Sequence, residues 1–196
     1  MTLDEFSVQF DILYNNISSG QAPGLTEYEK SVFLTQAQEA VILDLYKGTA
    51  GDSFETTEEV TRYLYSLVKT KSGFTINGTN PYYIDLTTIP DLWFITYQSA
   101  IQDNRDVIVV PVKQDLLFKT LQNPFTGPSK NRILSISEDK KLSLYCLSKP
   151  TTVTIKYLKR PSNIDLEDGT GVEVPESLHT QILMRAIQMA KAVWAS

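Results

Sequence analysis

Apolar residues recur at three- and four-residue steps along the first third of the chain, switch to every second residue through the middle, and return to the longer step near the end. Leu3, Phe6, Phe10, Leu13 and Ile17 form a narrow seam that predicts an amphipathic helix at the start. Thr2 and Glu5 have capping-box spacing, in which each side chain accepts a hydrogen bond from the other residue's backbone N–H. The turn-rich run Ser18–Gly24 ends that helix. A second box, Thr26 and Glu29, opens a long helix from about Leu25 to Tyr46, with Phe33, Ala37, Ala40 and Val41 on one face. Its end, Val41–Tyr46, is apolar nearly all round and predicts burial on several sides, and Gly48 and Gly51 stop it. Thr56 and Glu59 repeat the cap spacing, and Val60, Tyr63, Leu64, Leu67 and Val68 follow at helical intervals, so a short third helix is expected.

From Gly73 to about Lys159 the period is two. Short strands are predicted at Phe74–Ile76, Tyr82–Leu86, Leu92–Ser99, Val107–Val112, Ile133–Ser137, Leu142–Leu147 and Thr152–Leu158. Glu138–Lys141 reads as a hairpin turn and Asn123–Pro128 as a longer loop. After the acidic, glycine-containing stretch Asp165–Gly171, a last helix is expected from near Pro175, with Leu178, Ile182, Ala186, Met189 and Val193 as its apolar stripe. The expected fold is α+β: a helical bundle from the N- and C-terminal helices, framing a central antiparallel β-sandwich or small barrel. The corresponding divisions are 1–72, 73–164 as an inserted β domain, and 165–196 as a hinge and a helix that packs back on the first three.

Composition narrows the function classes. At 196 residues and 42% hydrophobic content, the chain can bury a core without disulfide or metal staples. The lone cysteine, Cys146, excludes an intrachain disulfide and fits a reducing cytoplasm. A net charge of −5 argues against a general nucleic-acid coat, though not against a protein that surrounds DNA without gripping it. No apolar run approaches the ~20 residues of a membrane span, and Met1–Glu5 lacks the pattern of a signal peptide.

The residues that could carry chemistry each have a structural reading beside the functional one. His179 is the only histidine, so a hydrolytic triad or histidine acid/base pair would have to use it, yet no nucleophile or orienting partner stands at recognisable spacing. Cys146 lies on an alternating strand, where a lone cysteine reads as a small core residue. One Cys and one His cannot supply the four ligands of structural zinc. The acidic pairs Asp4-Glu5, Glu58-Glu59, Glu138-Asp139 and Glu167-Asp168 occupy first helical turns, a hairpin turn and a loop, although a glycosidase-like pair among them stays open. Gly169-Thr170-Gly171 and Gly73–Gly78 lack the context of phosphate-binding loops and read as turns. Lys130, Arg132, Lys140, Lys141, Lys149, Lys156, Lys159 and Arg160, with Phe125, Tyr145 and Tyr157 interleaved, give the β region a basic bias that would suit nucleic acid. A glycan-binding sandwich would need Trp93, Tyr97, Tyr82 and Tyr83 exposed together; aromatics at strand spacing are more often core. No catalytic, cofactor-binding or metal residue is assigned, and no cofactor is expected.

Four stretches carry a resemblance. Leu25–Tyr46, Phe54–Leu64, Asn123–Pro128 with Arg132–Leu134, and Val174–His179 are similar to ring or connector proteins of crAss-like and related Bacteroidales phages. The last stretch, leading into a terminal helix, also resembles short-tailed phage tail adaptors. The resemblance spans most of the chain, and its motifs are structural. It implies a non-catalytic head-to-tail connector or neck ring subunit, in a ring often twelve-fold, below the portal. The implied partners are further copies of the chain, the portal, other tail proteins, and double-stranded DNA passing through the channel without specific binding. The implied place is the head–tail junction of a virion assembled in the host cytoplasm. Another tail or capsid accessory protein, a carboxylate-dependent hydrolase and a glycan-binding module are the competing expectations.

Overall fold

A computed structural model describes residues 1–17, 24–48 and 62–194. The chain divides into two compact units, Met1–Leu67 with Arg160–Ser196, and Val68–Lys159.

The first unit holds α1 (Leu3–Ile17), α2 (Glu27–Gly48) and the C-terminal helix His179–Trp194. Both described capping boxes form. Thr2 N donates to Glu5 Oε2 (2.8 Å) and Glu5 N to Thr2 Oγ1 (3.3 Å), and Thr26 and Glu29 repeat the same two bonds at the same distances. The Thr56–Glu59 box lies outside the described residues. α1 buries Phe6, Phe10 and Tyr14, while the C-terminal helix buries Ile182, Leu183, Ala186, Ile187 and Ala190. Val193, placed on that stripe by its spacing, is exposed. Pro175 precedes the first helical turn, Glu176–Leu178, rather than occupying it.

The buried stripe of α2 contains polar residues that an apolar reading passes over: Lys30, Ser31 and Gln38 lie among Leu34, Ala37, Val41 and Ile42. Their partners explain it. Ser31 Oγ accepts from Leu166 N (3.0 Å), Thr35 Oγ1 accepts from Ile164 N (3.0 Å), and Gln38 Nε2 donates to Ser162 O (3.1 Å). Helix positions 31, 35 and 38 thus meet an extended segment at 166, 164 and 162, a helical period matched to a period of two.

The second unit is one eight-stranded sheet: β1 (Val68–Lys71), β2 (Asn77–Gly78), β3 (Tyr82–Asp85), β4 (Leu92–Gln102), β5 (Arg105–Pro111), β6 (Arg132–Glu138), β7 (Lys141–Tyr145) and β8 (Thr152–Lys159). Its order is β1-β8-β4-β5-β6-β7-β3-β2. Residues from strands far apart in that order, such as Ile84 of β3 and Val153 and Ile155 of β8, share one core cluster, so the sheet curls on itself as a half-barrel.

Three expectations change here. Val68 was placed on a third helix by spacing. Residues 62–64 are helical and Tyr65–Leu67 continue as a 3₁₀ turn, but Val68 begins a strand, pairing with Leu158. Phe74–Ile76 is not a strand, although Ile76 joins the core. The sheet is also not wholly antiparallel: β5 and β6 run parallel, with Ile108, Val109 and Val110 opposite Arg132, Ile133 and Leu134. A parallel pair needs a crossover of a dozen or more residues. The stretch between Pro111 and Arg132 supplies it, including a short helix, α3 (Leu117–Gln122), so the C-terminal helix is α4.

Candidate functional site

The crossover produces the most distinctive surface of the β unit. Along β5 and β6, Val107, Val109 and Ile133 point into the core, so by alternation Ile108, Val110 and Leu134 face the other side. A cavity of about 620 Å³ lies there, with those three residues lining it beside Leu116, Lys119 and Thr120 of the crossover. Asn123, Thr126 and Arg132 complete the rim. Arg132 Nη1 donates to Phe125 O (2.8 Å), and Gly127 N donates to Asn123 O (2.7 Å), which fixes the loop after α3. Gly127 is required by close approach: a Cβ there would meet Asn123 O at 2.9 Å.

Of the lining residues, Ile108 and Leu116 are 56 and 47% exposed; Phe118 of α3 and Phe125 of the loop after it, outside the lining, are 72 and 86% exposed. Exposed apolar residues are normally scattered, and a group of large ones marks a contact surface. Among the described residues the two ionisable ones that line the cavity, Lys119 and Arg132, are both basic, and no carboxylate lines it. Leu116, Lys119 and Thr120, which line the cavity from the helical part of the crossover, were not singled out by sequence reasoning. Asn123–Pro128 and Arg132–Leu134, which carried part of the family resemblance, supply four of the lining residues. The available signal was a dense apolar run, Leu116-Leu117-Phe118 with Leu121, between two aliphatic strands.

A second cavity, of about 700 Å³, opens where β4 and β5 part company. β4 pairs with β8 from Leu92 onward but with β5 only from Ser99. Gln98 and Ser135 line it, and Gln98 Oε1 and Ser135 Oγ are buried without a hydrogen-bond partner. Its charged lining residues are Lys113 and Asp139 alone, so it brings together no pair of carboxylates and no nucleophile with a base.

The residues weighed for chemistry sit apart from one another. His179 is buried at the start of α4, with Nε2 3.0 Å from Val174 O and Nδ1 3.2 Å from the Met1 amino nitrogen. Its ring lies 5.3 Å from that of Phe6, so it ties the lead-in of α4 to α1. Cys146 is buried in the β core, and burial pushes its thiol up to about 11. Asp4 and Glu5 occupy the first turn of α1, and Glu138 accepts from Ser143 Oγ (3.0 Å). Asp139 holds the β6–β7 turn at φ 45°. The N–H groups of Glu167 and Asp168 both donate to Asp165 Oδ1, closing a turn with Gly169 at φ 81°. Glu58-Glu59 lies outside the described residues. Among the described residues no cluster of three or more potential ligands could hold a metal ion.

Nor do the basic and aromatic residues form one platform. Lys141 sits over the Tyr83 ring (4.8 Å) and Lys156 over that of Tyr97 (5.4 Å). Their strands, β7 and β8, are separated by β4, β5 and β6. Arg160 belongs to the helical unit and pairs with Glu39 at 2.7 Å. Trp93 is half-buried against Phe94 (5.1 Å), and β3, with Tyr82 and Tyr83, lies four places from β4 along the sheet.

Comparison with known proteins identifies a family. Residues 1–195 match the family model described as phage tail ring protein 3/4. The chain is 40% identical to "Ring protein 3" of Bacteroides phage crAss001, over 97% of this chain and 95% of that protein. It is 28% identical to "Ring protein 4/5" of the same phage, over 99% of this chain and 94% of that protein.

Proposed function

The chain belongs to the phage tail ring protein 3/4 family, a virion structural family, and on that footing we propose that it is a non-catalytic subunit of the head-to-tail connector. In this reading, copies of the chain form a ring, twelve-fold, that joins the portal to the tail and surrounds the DNA channel at the head–tail junction. Assembly takes place in the host cytoplasm. The observation that carries the reading is the exposed apolar surface at the α3 cavity, where the exposed Ile108 and Leu116 line it together with Val110 and Leu134. Such a surface suits a subunit that keeps neighbours. The chain's net charge of −5 suits a channel that DNA must slide through, because like charges repel. No helix among the described residues is long and apolar enough to cross a membrane.

A phage carrying a stop codon in this gene tests the role. In non-suppressing cells the reading predicts DNA-filled heads without attached tails. Normal yields of tailed, infectious particles would contradict it.

A further inference from the structure

We propose that the α3 cavity of one copy receives the outward face of α1 from a second copy, and that this contact, repeated head to tail, builds the ring. The proposal rests on the ring reading above. A ring of identical chains needs two different surfaces per chain that fit each other, because each copy must offer one to the neighbour before it and the other to the neighbour after it.

The β unit supplies the first surface. Its cavity is lined by the apolar Ile108, Val110, Leu116 and Leu134, of which Ile108 and Leu116 are exposed, and among the described residues only cations, Lys119 and Arg132, stand in its charged lining. The occupant it fits is therefore apolar and carries an acidic group.

α1 has that composition on the face it turns away from its own core. Phe6, Phe10 and Tyr14 point inward, whereas Val8 and Ile12 are 57 and 53% exposed. Asp4, Val8 and Ile12 stand four residues apart and share one helical face. At about 1.5 Å of rise per residue, the row spans roughly 12 Å. It begins with an exposed carboxylate and continues with two aliphatic side chains. Seated in the cavity, Val8 and Ile12 would cover the aliphatic floor while Asp4 meets Lys119 or Arg132. Helix-in-groove recognition of this kind uses anchors at four-residue spacing.

The test uses the full chain in sedimentation velocity and native mass spectrometry, over a concentration series into the hundreds of micromolar. Ile12→Asp spoils the helix face and Leu116→Asp the cavity face; both positions are exposed, and circular dichroism checks that each variant folds. Wild type is expected to self-associate with rising concentration, and each variant alone to stay monomeric. Mixed in equal amounts, the two variants are expected to form a one-to-one dimer and nothing larger, since each still offers one intact face. A charge exchange gives an independent reading: Asp4→Lys or Lys119→Asp alone weakens association by about tenfold or more, and the two together restore it. The proposal is overturned by variants that assemble like wild type, by a mixture that stays monomeric, or by a wild type monomeric throughout. Any of those results leaves the connector reading standing, since the tailless-head phenotype decides that separately.

Discussion

Thr35 holds Ile164 by both of its backbone groups: its hydroxyl accepts from the Ile164 N–H at 3.0 Å and lies 3.3 Å from the Ile164 carbonyl, to which it donates. One side chain on α2 thereby satisfies a segment that belongs to no helix or strand. Thr35→Val keeps the shape and removes both bonds, leaving a backbone N–H and C=O beside an apolar wall. The expected cost is about 1–3 kcal/mol in urea unfolding, with Thr35→Ser recovering most of it. A Thr35→Val variant as stable as wild type would show that the segment finds other partners.

Lys30 joins α1 to α2. Its ammonium is 3% exposed and lies 2.7 Å from Asp11 and 3.0 Å from Glu27. Burial opposes the charge, but the hydrogen bonds to Asp11 and Glu27 outweigh it and hold the pKa above its ordinary 10.5. Burial also opposes the Glu27 charge, and the bonds from Ser7 and Lys30 outweigh it, holding that pKa below 4.5. The signs follow from linkage. The Lys30 contribution is complete below pH 10.5 and fades as pH rises through the raised value. The Glu27 contribution is complete above pH 4.5 and fades as pH falls through the lowered one. The contribution of this pair to the melting temperature should therefore be flat between these limits and fall on both sides, and Cys146, whose pKa is pushed from 9.0 to about 11, adds its own loss above pH 9. Lys30→Met should remove the part of the alkaline fall above pH 10.5 that this ion pair supplies and leave the Cys146 part in place. A melting temperature that rises on acidification below pH 4.5 would contradict the assignment.

Cys146 is inert in the folded chain. With its pKa pushed up to about 11, only about one thiol in a thousand is ionised near pH 8, and burial shields it further. A disulfide reagent at that pH should label the native protein negligibly and the urea-unfolded protein fully. Rapid labelling of the native chain would reopen a chemical role for this residue.

The β4–β5 hairpin turns on Asp103 and Asn104, at φ 50° and 59°, between Gln102 and Arg105, which pair. Two consecutive positive φ values define a turn that matches the twist of its strands and tolerates Asn, Asp and Gly. Asn104→Gly should be near neutral, and Asn104→Val should cost about 1–2 kcal/mol in thermal unfolding. Equal stability of the two would mean that the turn can rearrange.

What the sequence made legible was local. Thr2 with Glu5, and Thr26 with Glu29, could be read as caps because the two residues of each bond are three apart. Six of the seven anticipated strands exist because period-two burial leaves its mark in consecutive residues. Val68 was misplaced because Leu64, Leu67 and Val68 suit a helix as well as a 3₁₀ turn running into an edge strand, and only pairing with Leu158 decides between them. α3 has six residues, too few to show a helical period, and without it the parallel β5–β6 pair has no visible cause. The burial of Lys30, Ser31 and Gln38 depends on partners far along the chain, as with Gln38 and Ser162. The contact surface was hidden for a related reason: Leu116 and Phe118 look like core in sequence, and only the fold shows that they face outward.

As a ring subunit, the chain would act through its surfaces. The most direct measurement is a cryo-electron-microscopy reconstruction of the neck of purified virions without imposed symmetry. The account predicts a closed ring of this fold between portal and tail, twelve copies around the DNA channel. Density for this fold elsewhere in the virion, or its absence from the neck, would contradict it.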